Sequence, residues 1–170
     1  MEEVKILSRM DDIVAVDYKT DEDIDVGDIL MFGTTGWYVA TGLSLDEALN
    51  LGKVGMAVAP SNDLEIPLGA ARSAPGESAS PPTAVSWGKG AILFFTSPFE
   101  AKNLPAAAFQ STGSEGDRLA LSAEGLFYTL DPASDNRTCV AIAGEDFDAS
   151  SDLTYIISTV GAGYIVPKTV

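Results

Sequence analysis

The chain has 170 residues, 25 acidic and 10 basic, for a formal net charge of −15, with one cysteine and no histidine. That balance argues against wrapping nucleic acid, because such binding draws on Lys and Arg displacing counterions from phosphates. The lone Cys139 excludes an internal disulfide framework and a multi-cysteine metal site. The missing histidine removes the commonest general base and the commonest transition-metal ligand together.

A chain of this length forms one domain and buries roughly 70% of its unfolded surface. No run of about 18 apolar residues is present, so no membrane span is expected. The opening MEEVKILSRMDD is acidic and lacks the basic region and apolar core of a secretory signal. Acid is concentrated early: residues 1–50 hold 12 acids against 3 bases.

In chain order, residues 4–8 (VKILS) and 13–18 (IVAVDY) are short apolar runs separated by Arg9-Met10-Asp11-Asp12. Either run serves as a body strand, and the first alternatively as an arm that adds to a neighbour's sheet, as terminal strands are free to do. The acidic run from Asp21 resembles the start of a calcium loop. Its spacing puts Val26 where Gly is needed and Phe32 where the bidentate acid belongs, so it reads as a solvated turn. Residues 30–41 form a hairpin around Gly33-Thr34-Thr35-Gly36. Residues 44–52 (SLDEALNLG) carry a capping box from Ser44 to Glu47 and a closing Gly52, which predicts a two-turn helix. A small-residue strand follows over 53–59.

Residues 70–82 (AARSAPGESASPP) are of low complexity and predict an exposed loop. Residues 83–87 and 91–96 read as strands flanking the break Gly88-Lys89-Gly90, and Ser97-Pro98-Phe99-Glu100 predicts a turn of helix. From Gly116 to Ser158, four apolar-alternating runs are punctuated by Gly, Asp, Asn and Ser, with polar breaks at DPASDN and DASSD, the pattern of a β-meander. An earlier stretch repeats it. Gly27-Asp28-Ile29-Leu30 with Gly36-Trp37-Tyr38 matches Gly116-Asp117-Arg118-Leu119 with Gly125-Leu126-Phe127 at an offset of 89. Residues 54–59 (VGMAVA) match residues 138–143 (TCVAIA) at an offset of 84.

Helix is scarce and strands recur, so the fold class is all-β. It is an antiparallel barrel or sandwich with an internally repeated meander module and one or two short helices. Residues 1–25 form an N-terminal strand or arm with an acidic linker, 26–160 the body, and 161–170 a C-terminal strand or tail. The repeat halves span about 26–60 and 115–145. Cys139 reads as a buried small hydrophobe. Trp37, Tyr38, Phe94, Phe95, Phe127 and Tyr128 read as core and interface aromatics. Ser86-Trp87-Gly88-Lys89 matches the S-x-x-K string of penicillin-recognising enzymes, but glycines and β-type flanks deny it the helix that would bring Ser and Lys together. No catalytic, metal or cofactor constellation emerges from the residues.

The succession GDIL, KVGMAVAP, GKGAILFFTS, GDRLALSAEGLFYTL, RTCVAIAGEDF, LTYIIS is similar to the head-decoration, or capsid cement, proteins of tailed bacteriophages. The resemblance covers roughly residues 26–158. Residues 44–52 and 70–82 lie outside the family's general pattern. The resemblance implies a non-catalytic protein without cofactor, made in the host cytoplasm and carried on the outer capsid surface of the virion. It also implies a homotrimer that clamps adjoining major capsid subunits, without nucleic-acid or membrane partners. Contact elements are then expected in the N-terminal segment (Val4, Ile6, Leu7) and the 70–82 loop (Ser73, Pro75, Pro81). The rival readings are another virion β-module, such as a tail or head-spike component, and a carbohydrate-binding domain.

Overall fold

A computed structural model describes residues 3–19, 22–44, 51–61, 65–66, 85–86, 89–131 and 138–165. Its strands are β1 (Lys5–Ser8), β2 (Val14–Asp17), β3 (Ile29–Gly33), β4 (Gly36–Val39), β5 (Val54–Ala57), β6 (Glu65–Ile66), β7 (Val85–Ser86), β8 (Lys89–Phe94), β9 (Phe99–Pro105), β10 (Arg118–Leu121), β11 (Phe127–Thr129), β12 (Thr138–Ala143) and β13 (Thr154–Ile165). One sheet has the order β2-β8-β5-β3-β4 and the other β1-β9-β13-β12-β10-β11, all antiparallel; β6 and β7 pair separately. The chain is therefore an all-β, sandwich-like protein in which neither sheet closes into a barrel.

The two sheets are copies of one five-strand module. Strands β2, β3, β4, β5 and β8 of the first correspond in order and pairing to β9, β10, β11, β12 and β13 of the second. In each copy the fourth strand passes the third and pairs with the second, so the order departs from a simple meander. The Gly-Asp turns match bond for bond. Gly27 N–H donates to Ala57 O at 2.8 Å and Ala57 N–H to Asp28 O at 2.9 Å; Gly116 and Ala143 repeat this at 2.8 and 2.9 Å through Asp117. Asp28 Oδ2 accepts from Asp25 N–H and Asp117 Oδ2 from Ser114 N–H, each at 2.8 Å. Both glycines take positive φ, +96° and +86°, where a side chain is strained.

The register corrects two alignments. Trp37 pairs with Phe32 as Phe127 pairs with Leu121, so Trp37 corresponds to Phe127 at an offset of 90 and not to Leu126 at 89. Ala57 corresponds to Ala143, so the small-residue strands match at an offset of 86 and not 84. A shift of two residues keeps every side chain on its face, which is why the sequence pattern tolerates either choice.

Two further expectations are overturned. Residues 97–100 are not helical: the chain turns over 95–97 and enters β9 at Phe99, whose N–H donates to Thr159 Oγ1 at 2.9 Å. The strands expected to form a hairpin on either side of the break at 88–90 do not pair with each other either. β7 pairs with β6, and Lys89 and Gly90 begin β8, where Gly90 leaves space for the ring of Tyr18. The hairpin at Thr34-Thr35 is as expected. Of the 44–52 helix, residues 45–50 lie outside the described residues; Leu51–Lys53 is a 3-10 turn.

The main core joins one face of the first sheet (Ile29, Met31, Val54, Met56, Leu93) to one face of the second (Leu119, Leu121, Phe127, Ile157). Phe95, between the modules, lies 5.9 Å from Phe99 and 6.2 Å from Phe127. Leu119 is the counterpart of Leu30, yet Leu30 belongs to a separate cluster with Tyr18, Trp37 and Ile92 on the opposite face of its sheet. The modules thus stack back to front, not as a two-fold pair.

Candidate interaction surface

β1 is the outermost strand of the six-stranded sheet, with Ile6 opposite Ala101 and Leu7 opposite Glu100. β2 is the outermost strand of the other sheet, with Val14 opposite Ile92. A single 3-10 turn, Met10–Asp12, joins them, closed by Asp12 N–H to Arg9 O at 3.1 Å and Ile13 N–H to Met10 O at 3.2 Å. A connection this short keeps both edges on one side of the sandwich.

That side carries the exposed apolar surface. Seven large hydrophobic residues are exposed among the described residues, and four of them fall within residues 7–14: Leu7 (55%), Met10 (85%), Ile13 (37%) and Val14 (38%). Ala15 is exposed as well, so residues 13–15 form an apolar run open to water on both faces of the strand. Such runs are selected against unless something covers them. Asp11, Asp12 and Asp17 border the run. The Oδ2 of Asp12 is shut away from solvent without a hydrogen-bond donor, and Asp17 meets Lys89 Nζ at 2.8 Å.

Three contacts hold β2 in place. Its backbone pairs with β8, Lys19 N–H donates to Trp37 O at 2.8 Å, and the Tyr18 ring lies across Gly90. Tyr18 Oη stands 2.7 Å from Ala59 O and 2.9 Å from Ala91 O, sharing its proton between them. Burial is the main cause that raises its pKa above that of a free tyrosine.

The expected contact residues divide. Val4 and Ile6 pack against the main core, and Val4 also lies against Gly27, so they anchor β1 instead of presenting it. Leu7 points outward. Ser73, Pro75 and Pro81 lie outside the described residues. Met10, Ile13 and Val14 escaped sequence reasoning. The signal for Ile13 and Val14 was a run of four apolar residues without alternation, closed by aspartates at both ends (Asp12 and Asp17); Met10 lies outside it.

Two concavities lie elsewhere. A cleft of ≈ 740 Å³ at the seam between modules is lined by Val4, Asp25, Asp28, Asn103, Glu124 and Leu126 among others. Asn103 takes φ +60° there and donates from Nδ2 to Glu3 O at 3.0 Å, which fixes the approach to β1. Burial raises the Asp28 pKa above the usual carboxylate value. The Asp25 N–H opposes that shift, and the Asp25 and Asp23 charges add to it. Among the described residues no three acidic or cysteine side chains converge as a metal site. A shallower pocket of ≈ 560 Å³ is lined by Gln110, Ser111, Thr112, Ser122, Tyr128 and Thr129.

No protein-family model and no curated protein sequence matches the chain.

Proposed function

We propose that this protein is a non-catalytic capsid decoration protein of a tailed bacteriophage, binding the outer shell and clamping adjoining major capsid subunits as a homotrimer. The observation that carries this reading is the concentration of exposed apolar side chains at Leu7, Met10, Ile13 and Val14 on a molecule otherwise strongly acidic. Exposed apolar residues gathered in one place mark an interaction site, whereas scattered ones do not. The acidic remainder keeps the protein from DNA and from nonspecific association. The resemblance of the motif succession to decoration proteins supports the choice of partner. A single copy then contributes modest affinity, and many copies on one shell add through multivalency.

A carbohydrate-binding module is the second reading, favoured by the hydroxyl-lined pocket around Tyr128. The two are separated by incubating the protein with expanded empty capsids of a tailed bacteriophage, and in parallel with a glycan array. Co-sedimentation at saturable stoichiometry is expected, with sizing of the free protein as a trimer. Glycan binding without capsid binding overturns the proposal.

A further inference from the structure

The internal repeat identifies one edge that should hold a strand and holds none among the described residues. In the second module, Ile157 of β13 pairs with Ala143 on one side and Ala101 of β9 on the other. In the first, Ile92 of β8 pairs with Ala57 and Val14 in the same way. Val14 is therefore the counterpart of Ala101. β1 covers residues 99–102 of β9, and their counterparts on the first module are residues 12–15. These include the exposed apolar run, while the N–H groups of Asp12 and Ile13 at its start are already spent in the 3-10 turn. Beyond it, the bridge of Tyr18 to Trp37 ends the free edge, as the bridge of Phe109 to Phe127 does in the second module.

We propose that the edge of β2 at residues 12–15 is a strand-addition site, and that its occupant is an extended segment of a different protein. That segment would alternate apolar residues with Lys or Arg. Main-chain hydrogen bonds to the free edge supply affinity in such additions, and alternate side chains supply selectivity. Ile13 and Val14 offer apolar contacts on the two faces of the strand, and Asp11 and Asp12 favour cationic side chains beside them, Asp17 being paired already with Lys89. A second copy of this chain is the wrong occupant on charge. Each copy carries a net charge of −15, so bringing two copies together at this edge sets acidic surface against acidic surface. The chain's own β1 is already seated on β9 with Ile6 turned to the core.

The capsid reading enters this proposal only through the source of the strand, and the strand site rests on it to that extent. The test therefore uses the full chain with a short synthetic peptide alternating valine and lysine, a valine–glutamate counterpart, and backbone amide exchange read residue by residue. The valine–lysine peptide is expected to protect amides within residues 12–17, with affinity falling as salt rises, while the valine–glutamate peptide does not. Ile13→Lys with Val14→Lys is expected to weaken binding about tenfold or more, because like charges then face each other across the added strand. Leu153→Lys, at an exposed apolar site elsewhere, controls for surface charge and leaves binding unchanged. Protection at the outer edge of β1, equal binding of both peptides, no protection, or a self-association that Ile13→Lys abolishes overturns the strand site. Capsid co-sedimentation that survives Ile13→Lys with Val14→Lys also overturns it while leaving the decoration reading standing.

Discussion

Gly90→Ala tests how β2 is held against the rest of its module. A Cβ at Gly90 would lie 2.0 Å from Tyr18 Cζ and 2.1 Å from Cε2. Ordinary carbon contacts begin near 3.5 Å, so the ring must retreat by about 1.5 Å. The ring is not free to do so, because its hydroxyl is bound to Ala59 O at 2.7 Å and Ala91 O at 2.9 Å. Overpacking a fitted site costs about 1–3 kcal/mol, and the lost hydroxyl bonds add about 1–2 kcal/mol. We expect destabilisation of about 3 kcal/mol by denaturant unfolding, with the folded baseline unchanged. The decisive comparison is the same substitution in a Tyr18→Ala background, where the obstacle is gone and Gly90→Ala should fall within about 0.5 kcal/mol of neutral. An equal penalty in both backgrounds, or less than about 1 kcal/mol in the native one, would refute the reasoning.

Two further outcomes follow from the same geometry. Asp28 has a raised pKa in the folded protein because it is buried, so folding favours its protonated form. Its carboxylate is least unfavourable below the unfolded pKa and weighs against folding as pH rises through the folded one. Asp28→Asn keeps an oxygen for the Asp25 N–H, and melts at neutral and acid pH should show a gain near neutrality that vanishes below the carboxylate range. On β1, Ile6→Asp introduces a carboxylate against the main core and should cost about 2 kcal/mol or more. Leu7→Asp, on the exposed face of the same strand, should alter stability by no more than about 0.5 kcal/mol while lowering capsid occupancy.

Much of the fold was legible because turns and strands leave local marks. The Gly-Asp pairs at 27–28 and 116–117 announced the duplication, and the positive φ of both glycines explains why that pair recurs. What stayed hidden was set by tertiary contact. Gly90 reads as a turn residue, yet its small size serves Tyr18, 72 positions away in the chain. Phe99 and Glu100 match a helix start, but the 60-residue reach from Phe99 to Thr159 draws them into a strand. Back-to-front stacking was equally invisible, because alternation marks a strand's two faces without saying which one meets which sheet. The contact surface was half legible. The N-terminal segment was singled out, but Val4 and Ile6 looked as available as Leu7 until their packing was known.

The duplication separates what serves the fold from what serves function. Where the modules agree, the residues hold a turn or a pairing: Asp28 with Asp117, Ala57 with Ala143, Tyr18 with Phe109. Such positions have two independent reasons to exist and need no partner to explain them. Where the modules differ, only one copy carries the feature, and the fold alone does not require it. Among the described residues β9 is capped by β1 and its counterpart β2 is not, so the second module meets its edge requirement within the chain. A bare apolar edge on an acidic protein invites unwanted pairing. The aspartates around β2 oppose that pairing with other copies of the chain, yet they attract a basic strand. On the proposed strand site, Asp11 and Asp12 would both oppose self-pairing and favour a basic strand. That double role is why the difference between two otherwise matching edges is the most informative feature of this molecule.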